Sequence, residues 1–173
     1  MIIALAFLAV ADLVVGVSND AVNFLNSAIG SKAISFRTIM IVASLGIAIG
    51  AIFSSGMMEV ARKGIFNPSE FMFSEIMIIF MAVMITDILL LDFFNTVGMP
   101  TSTTVSIVFE LLGAAVAMAF IKVAADTGNY IDVYKHINTS KATEIIVGIL
   151  LSVVIAFSIG AIVQYFSRSL LSF

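Results

Sequence analysis

Gly16-Val17-Ser18-Asn19-Asp20-Ala21-Val22-Asn23 places a serine, two asparagines and an aspartate directly behind an apolar run. The chain around it is 61 % hydrophobic and 11 % charged. Asp20 is therefore expected at membrane depth, where a carboxylate costs at least ~2.5–3.5 kcal/mol. A chain bears that cost where the group faces a cavity, a partner or an ion. Asn19 and Asn23 set amide donors and acceptors beside it. Gly16 permits close backbone approach or a departure from helical geometry. At about 100° per residue, Asp12, Gly16, Asn19, Asp20, Asn23, Asn26, Ser27 and Gly30 fall within an arc of roughly 120°. In a soluble helix such a stripe would turn outward to water, but the rest of this chain has no soluble character.

Working outward, 173 residues would make one soluble domain. The composition argues instead for an all-α, polytopic helical membrane protein, since the charged share is about half the usual one. Membrane β-barrels read as short alternating segments, whereas this chain has continuous apolar runs. The net charge of −3 comes with no basic patch, so nucleic acid is not an expected partner. With no cysteine, disulfides and thiolate metal sites are excluded. The single His136 offers no histidine pair for a metal. Ala9-Val10-Ala11 has the small-residue spacing of a signal-peptide cleavage site, but no basic region precedes it, so the segment is expected to stay.

The pattern predicts one transmembrane domain over residues 1–173, with spans at about 2–30, 38–58, 71–91, 105–125 and 143–166. The first is expected either to run through to 30 or to break near 16–20 into half-helices. A second interrupted or re-entrant segment is expected near 92–104. Gly46, Gly50 and Gly56 supply small-residue surface for helix packing. The Met-rich face of the third span reads as gap-filling core. Arg62 and Lys63 read as water-exposed, and residues 126–142 as a polar loop with a solvated His136. Basic residues in three loops leave the orientation open.

The second broken segment carries Gly98 and Pro100, followed by Thr101-Ser102-Thr103-Thr104, four hydroxyls in a row. Pro100 removes a donor and is expected to stop the preceding helix. The helix that starts after it exposes free N–H groups and a positive dipole end, which suits an oxyanion. An ordinary N-cap needs only one hydroxyl. Asp12, Asp20, Asp87, Asp92 and Glu110 are read as finding no basic partner within any span, which makes Na⁺ or H⁺ their natural partner. An anion site beside cation sites, on interrupted helices, describes a cation-coupled anion symporter.

The residues here resemble a known family. Gly16-Val17-Ser18-Asn19-Asp20-Ala21-Val22-Asn23 resembles the Gly-x-x-Asn-Asp-x-x-Asn signature of the inorganic phosphate transporter (PiT) family. Gly98-Met99-Pro100-Thr101-Ser102-Thr103-Thr104 resembles its Gly-x-Pro-x-Ser-Thr-Thr segment. Gly30-Ser31-Lys32-Ala33 and Arg62-Lys63-Gly64-Ile65 look like further landmarks. The resemblance implies one repeat of an inverted-repeat transporter, the N-terminal one, in a multi-pass protein of the cell (inner) membrane. It implies cation-coupled phosphate symport by a carrier of which this chain is half, completed by a C-terminal repeat or a second copy. By that match Asp20, Asn23, Ser102, Thr103 and Thr104 are the candidates for phosphate. Asn19 and Asn23, with Asp20, Asp87 and Glu110, are the candidates for the coupling cation, Na⁺ or H⁺. Phosphate and membrane lipid are the expected partners, with no cofactor and no enzymatic activity. Val105 stands where many members carry a histidine, which argues against proton coupling through that position.

Asp20 would repel a phosphate dianion unless it is protonated, donates to phosphate, or shares Na⁺ with it. A protonated phosphate can donate to Asp20 and sulfate cannot, so phosphate is favoured over sulfate. An intramembrane aspartyl protease would need a Gly-x-Gly-Asp signature, which is absent. A non-transporting assembly subunit is the remaining alternative, and the unpaired acidic stripe counts against it.

Overall fold

The computed structural model describes residues 1–55, 64–99, 101–126, 128 and 130–171. Gly56, Arg62, Lys63 and Pro100 lie outside the described residues. The helices are α1 (Ile2–Ser31), α2 (Phe36–Ile52), α3 (Phe73–Val97), α4 (Thr103–Asp126), the short α5 (Val133–His136) and α6 (Thr139–Leu171). Among the described residues, α1, α3, α4 and α6 are long and apolar enough to cross a membrane, and α2 is shorter, at 17 residues. The protein is a helical membrane protein.

The chain divides into two units, Met1–Asn138 and Thr139–Phe173. In the second, α6 turns its hydroxyls onto its own backbone: Ser152 donates to Ile149 O at 2.6 Å and Ser158 to Val154 O at 2.8 Å. A helix in lipid has to satisfy such groups internally.

In the first unit, α3 packs against α1 and against α4. Every fourth residue of α3 from Ile79 is buried: Ile79, Val83, Asp87 and Leu91. The facing seam of α4 runs Val108, Leu111, Ala115, Ala119 and Val123. Ala115 and Ala119 are fully buried, and such small side chains let two backbones approach closely in a bilayer.

The expected break in the first span is corrected, because α1 is one continuous helix through 16–20. Interrupting a helix at membrane depth frees backbone groups that each cost several kcal/mol unless protein or a wet cavity satisfies them. A glycine inside a helix costs only about 1 kcal/mol relative to alanine. Gly16 is not demanded by crowding either, for a Cβ built on it would lie 3.9 Å from Leu91 Cδ1. The helix ends instead at Lys32, which adopts the left-handed conformation at φ 53°.

The second break is real but confined to residues 98–102, since α3 continues through Val97. Its stop signal is Gly98, ahead of Pro100. Gly98 has φ 74°, its N–H bonds Asn95 O at 3.2 Å, and the Met99 N–H bonds Phe94 O at 3.0 Å. That is a Schellman ending, which calls for a residue free to take positive φ.

The far end of α3 and α4 is closed by chain expected to be loop. Phe66 pairs with Ile137 in an isolated antiparallel bridge, and the Asn67 N–H bonds His136 O at 3.0 Å. His136, expected to be solvated, is buried, with Nδ1 3.1 Å from Asp132 O and its ring edge-on to Phe71 at 5.3 Å. The segment folds back and buries Ile65 and Phe66, taking the imidazole with it. Lys122, inside α4, corrects the expectation of spans without a base. Its Nζ bonds Glu75 at 3.1 Å and Glu70 O at 2.7 Å.

Candidate functional site

The hydroxyl segment comes to α1 through one amide. Asn19 is fully buried. Its Nδ2 donates to Thr101 O at 2.7 Å, and its Oδ1 accepts the Thr101 N–H at 3.2 Å. The side-chain amide thus clasps a backbone amide 82 residues away, like one rung of a ladder. Asn23, one helical turn on, donates to the same carbonyl at 3.5 Å. The spacing of four residues places both amides on one face of α1.

Asp20 lies beside this clasp. The Thr103 hydroxyl is shared between its two oxygens, at 3.3 and 3.2 Å. Asp20 therefore sits at the positive N-terminal end of α4, where a carboxylate is stabilised by the helix dipole.

The other two hydroxyls differ. Ser102 Oγ accepts the Val105 N–H at 3.4 Å, so Ser102 is the N-cap of α4. Thr104 is exposed, as are Ser102 and Asn23. Ser102 and Thr104 flank Thr103 in sequence, and Asn23 lies one turn beyond Asn19 on α1.

Asp87 and Glu110 belong to a second group, not to this one. Asp87 is 2 % exposed and lies beside Asp12 of α1 and Glu110 of α4. Glu110 Oε1 accepts the Ser106 hydroxyl at 2.8 Å. Asp12 Oδ1, Asp87 Oδ1 and Glu110 Oε2 are buried and receive no hydrogen bond from a non-carboxyl donor among the described residues, while Asp12 and Glu110 each come within hydrogen-bonding reach of the Asp87 carboxyl. Asp12 precedes Asp20 by two turns, about 12 Å along the helix. A groove of about 370 Å³ touches Thr101 at one site and Ser106 and Glu110 at the other. None of the ion pairs among the described residues reaches Asp12, Asp20, Asp87, Asp92 or Glu110.

Thr101 and Asp12 take part in these two groups without having been named among the phosphate and cation candidates of the family match. Thr101 acts through its backbone, for which a side-chain motif carries no signal. Asp12 was visible as a member of the polar stripe, eight residues before Asp20, but its partners lie on other helices.

The family model described as the phosphate transporter family matches residues 16–172. No curated protein and no solved structure matches the chain.

Proposed function

This chain belongs to the phosphate transporter family, and on that premise we propose that it forms half of a carrier that moves inorganic phosphate across a cell membrane together with Na⁺ or H⁺. The family is one of transporters, so no catalytic reaction is assigned. The observation that carries the reading is the Asn19 clasp on Thr101, which brings the Asn-Asp segment and the hydroxyl segment into one assembly.

In this reading the α4 N-terminus, with Ser102, Thr103 and Thr104, receives phosphate oxygens. Asp20 accepts a hydrogen bond from a hydrogen phosphate or shares a Na⁺ with it. Asn19 has both amide groups committed to Thr101, so it frames the site, and the Asn23 amide oxygen and Asp20 are left to meet a cation. The exposure of Asn23, Ser102 and Thr104 supports the half-carrier part. Polar groups left open at membrane depth call for a facing partner, and alternating access needs two repeats moving around one site. A C-terminal repeat or a second copy would supply that partner.

Labelled phosphate uptake into proteoliposomes tests the reading. Uptake is expected when this chain is combined with its partner half, to depend on Na⁺ or an imposed pH gradient, and to resist competition by sulfate. Uptake unaffected by removing both gradients would refute the coupling. A stable monomer that carries phosphate alone would refute the half-carrier assignment.

A further inference from the structure

Asp87 occupies the buried seam of α3, one turn from Val83 and one from Leu91. Its Oδ1 receives no hydrogen bond from a non-carboxyl donor among the described residues. Facing it, within hydrogen-bonding reach, are two more carboxyls, Asp12 from α1 and Glu110 from α4, each with one buried oxygen that no other donor reaches among the described residues. Ser106 supplies one hydroxyl, to Glu110 Oε1. The other charged groups on these helices are engaged or distant. Lys122 stands twelve residues beyond Glu110, about 18 Å along the helix, and is held by Glu75. Asp20 takes the Thr103 hydroxyl, and Asp92 is exposed.

Three adjoining carboxyls in a low-dielectric seam cannot all stay ionised; such groups share protons. A metal ion would need several oxygens converging on one point, and no such group of acidic or histidine side chains is found among the described residues. A proton needs no such convergence of ligands, only one carboxyl to carry it and a second to accept its hydrogen bond.

We propose that Asp12, Asp87 and Glu110 form a proton-holding site, separate from the Asp20–Thr103 assembly, which exchanges with water through the groove between α3 and α4. Only the use of this proton rests on the transport reading; the site itself is a property of the folded chain. Glu110 lines the groove and takes the proton from a hydronium ion there, whose O–H bond breaks as the Glu110 O–H bond forms and which leaves as water. Passage inward breaks the Glu110 O–H bond as the Asp87 O–H bond forms, and the negative charge moves to Glu110. Thr101 lines the same groove and is the residue Asn19 clasps. A shift of that segment when phosphate binds therefore changes the access of water to Glu110.

Infrared spectra of the purified, lipid-embedded protein through a pH series, without phosphate, test the site directly. The wild type is expected to keep a carboxylic-acid C=O band at neutral pH. That band should shrink in Asp87→Asn and change its pH dependence in Glu110→Gln. Absence of the band, or a band unaltered in Asp12→Asn, Asp87→Asn and Glu110→Gln, overturns the proposal. So does a band abolished by Na⁺ at constant pH, which assigns the site to that ion. Glu110 is half-buried, so its variant keeps the test decisive where Asp87→Asn fails to fold. In liposomes, uptake by Glu110→Gln should no longer respond to an imposed pH gradient. A band that behaves as expected in a protein that binds no phosphate leaves the proton site standing and removes the transport reading. Phosphate carried without the band does the reverse.

Discussion

Asn19→Ala is the substitution on which the site geometry depends most. It deletes two hydrogen bonds to Thr101, at 2.7 and 3.2 Å. Each is worth about 0.5–1.5 kcal/mol net, so the pair contributes about 2 kcal/mol. Thr101 is half-buried and borders the groove, so water can replace part of the loss and hold the figure near that value. If the clasp sets the position of the hydroxyls in the phosphate-bound state, about 2 kcal/mol corresponds to a roughly thirty-fold weaker phosphate affinity. Asn19→Asp should be worse although it is nearly isosteric. It keeps the acceptor for the Thr101 N–H but sets a carboxylate oxygen where the Nδ2 donor lies, 2.7 Å from a carbonyl oxygen. The assay is equilibrium binding of labelled phosphate to the complete carrier in lipid nanodiscs, at saturating Na⁺ and then across a Na⁺ series. A framing residue changes phosphate affinity at every Na⁺ concentration. A direct cation ligand changes only the Na⁺ concentration required. Unaltered phosphate affinity in Asn19→Ala at saturating Na⁺ would refute the framing role.

Asp20→Asn keeps the side-chain volume and an oxygen for the Thr103 hydroxyl while removing the charge; transport should stop with membrane insertion intact, and normal uptake by a well-expressed variant rejects the assignment. Thr103→Val removes the hydroxyl shared with Asp20 and should weaken phosphate binding roughly ten- to a hundredfold, from the ~1.5–3 kcal/mol of a hydrogen bond to a charged group. Thr104→Val tests the exposed hydroxyl by the same binding measurement, whereas Ser102→Ala should also lower stability by ~1 kcal/mol through the lost cap; equal effects on stability from all three would refute the division of roles. Gly98→Ala, at φ 74° with nothing within 4 Å of the added Cβ, should destabilise by about 1–2 kcal/mol through backbone conformation alone. Gly16→Ala should be neutral or stabilising in the same thermal-unfolding assay, and a large loss would contradict the ordinary 3.9 Å contact.

The membrane class and the long helices were legible because hydropathy acts over whole segments, and averaging over about twenty residues absorbs local exceptions. The polar stripe was legible for the same reason, as a periodicity along one helix. Three things were not, and each depends on a partner in another part of the chain. Asn19 is written as a polar residue in a motif, and nothing local says whether its amide meets a ligand or a backbone 82 residues away. The sequence left the first span either continuous or broken near 16–20, because Gly16 permits a departure from helical geometry. At membrane depth the cost of freeing backbone groups outweighs that freedom, so α1 stays whole. At the second break the backbone is spared that cost because Asn19 satisfies both polar groups of Thr101. The Asn19 amide thus leaves its own helix whole and satisfies the interruption ahead of α4. Asp87 follows the same logic. Its register with Ile79, Val83 and Leu91 already marked a carboxyl facing the seam, a signal present in the spacing of four. What that register could not supply was the identity of the facing groups, Asp12 and Glu110. A lysine there would have made an ion pair of the kind Lys122 and Glu75 form. Two carboxyls make instead a place whose charge depends on a proton, so the neighbours contributed by α1 and α4 decide what Asp87 does.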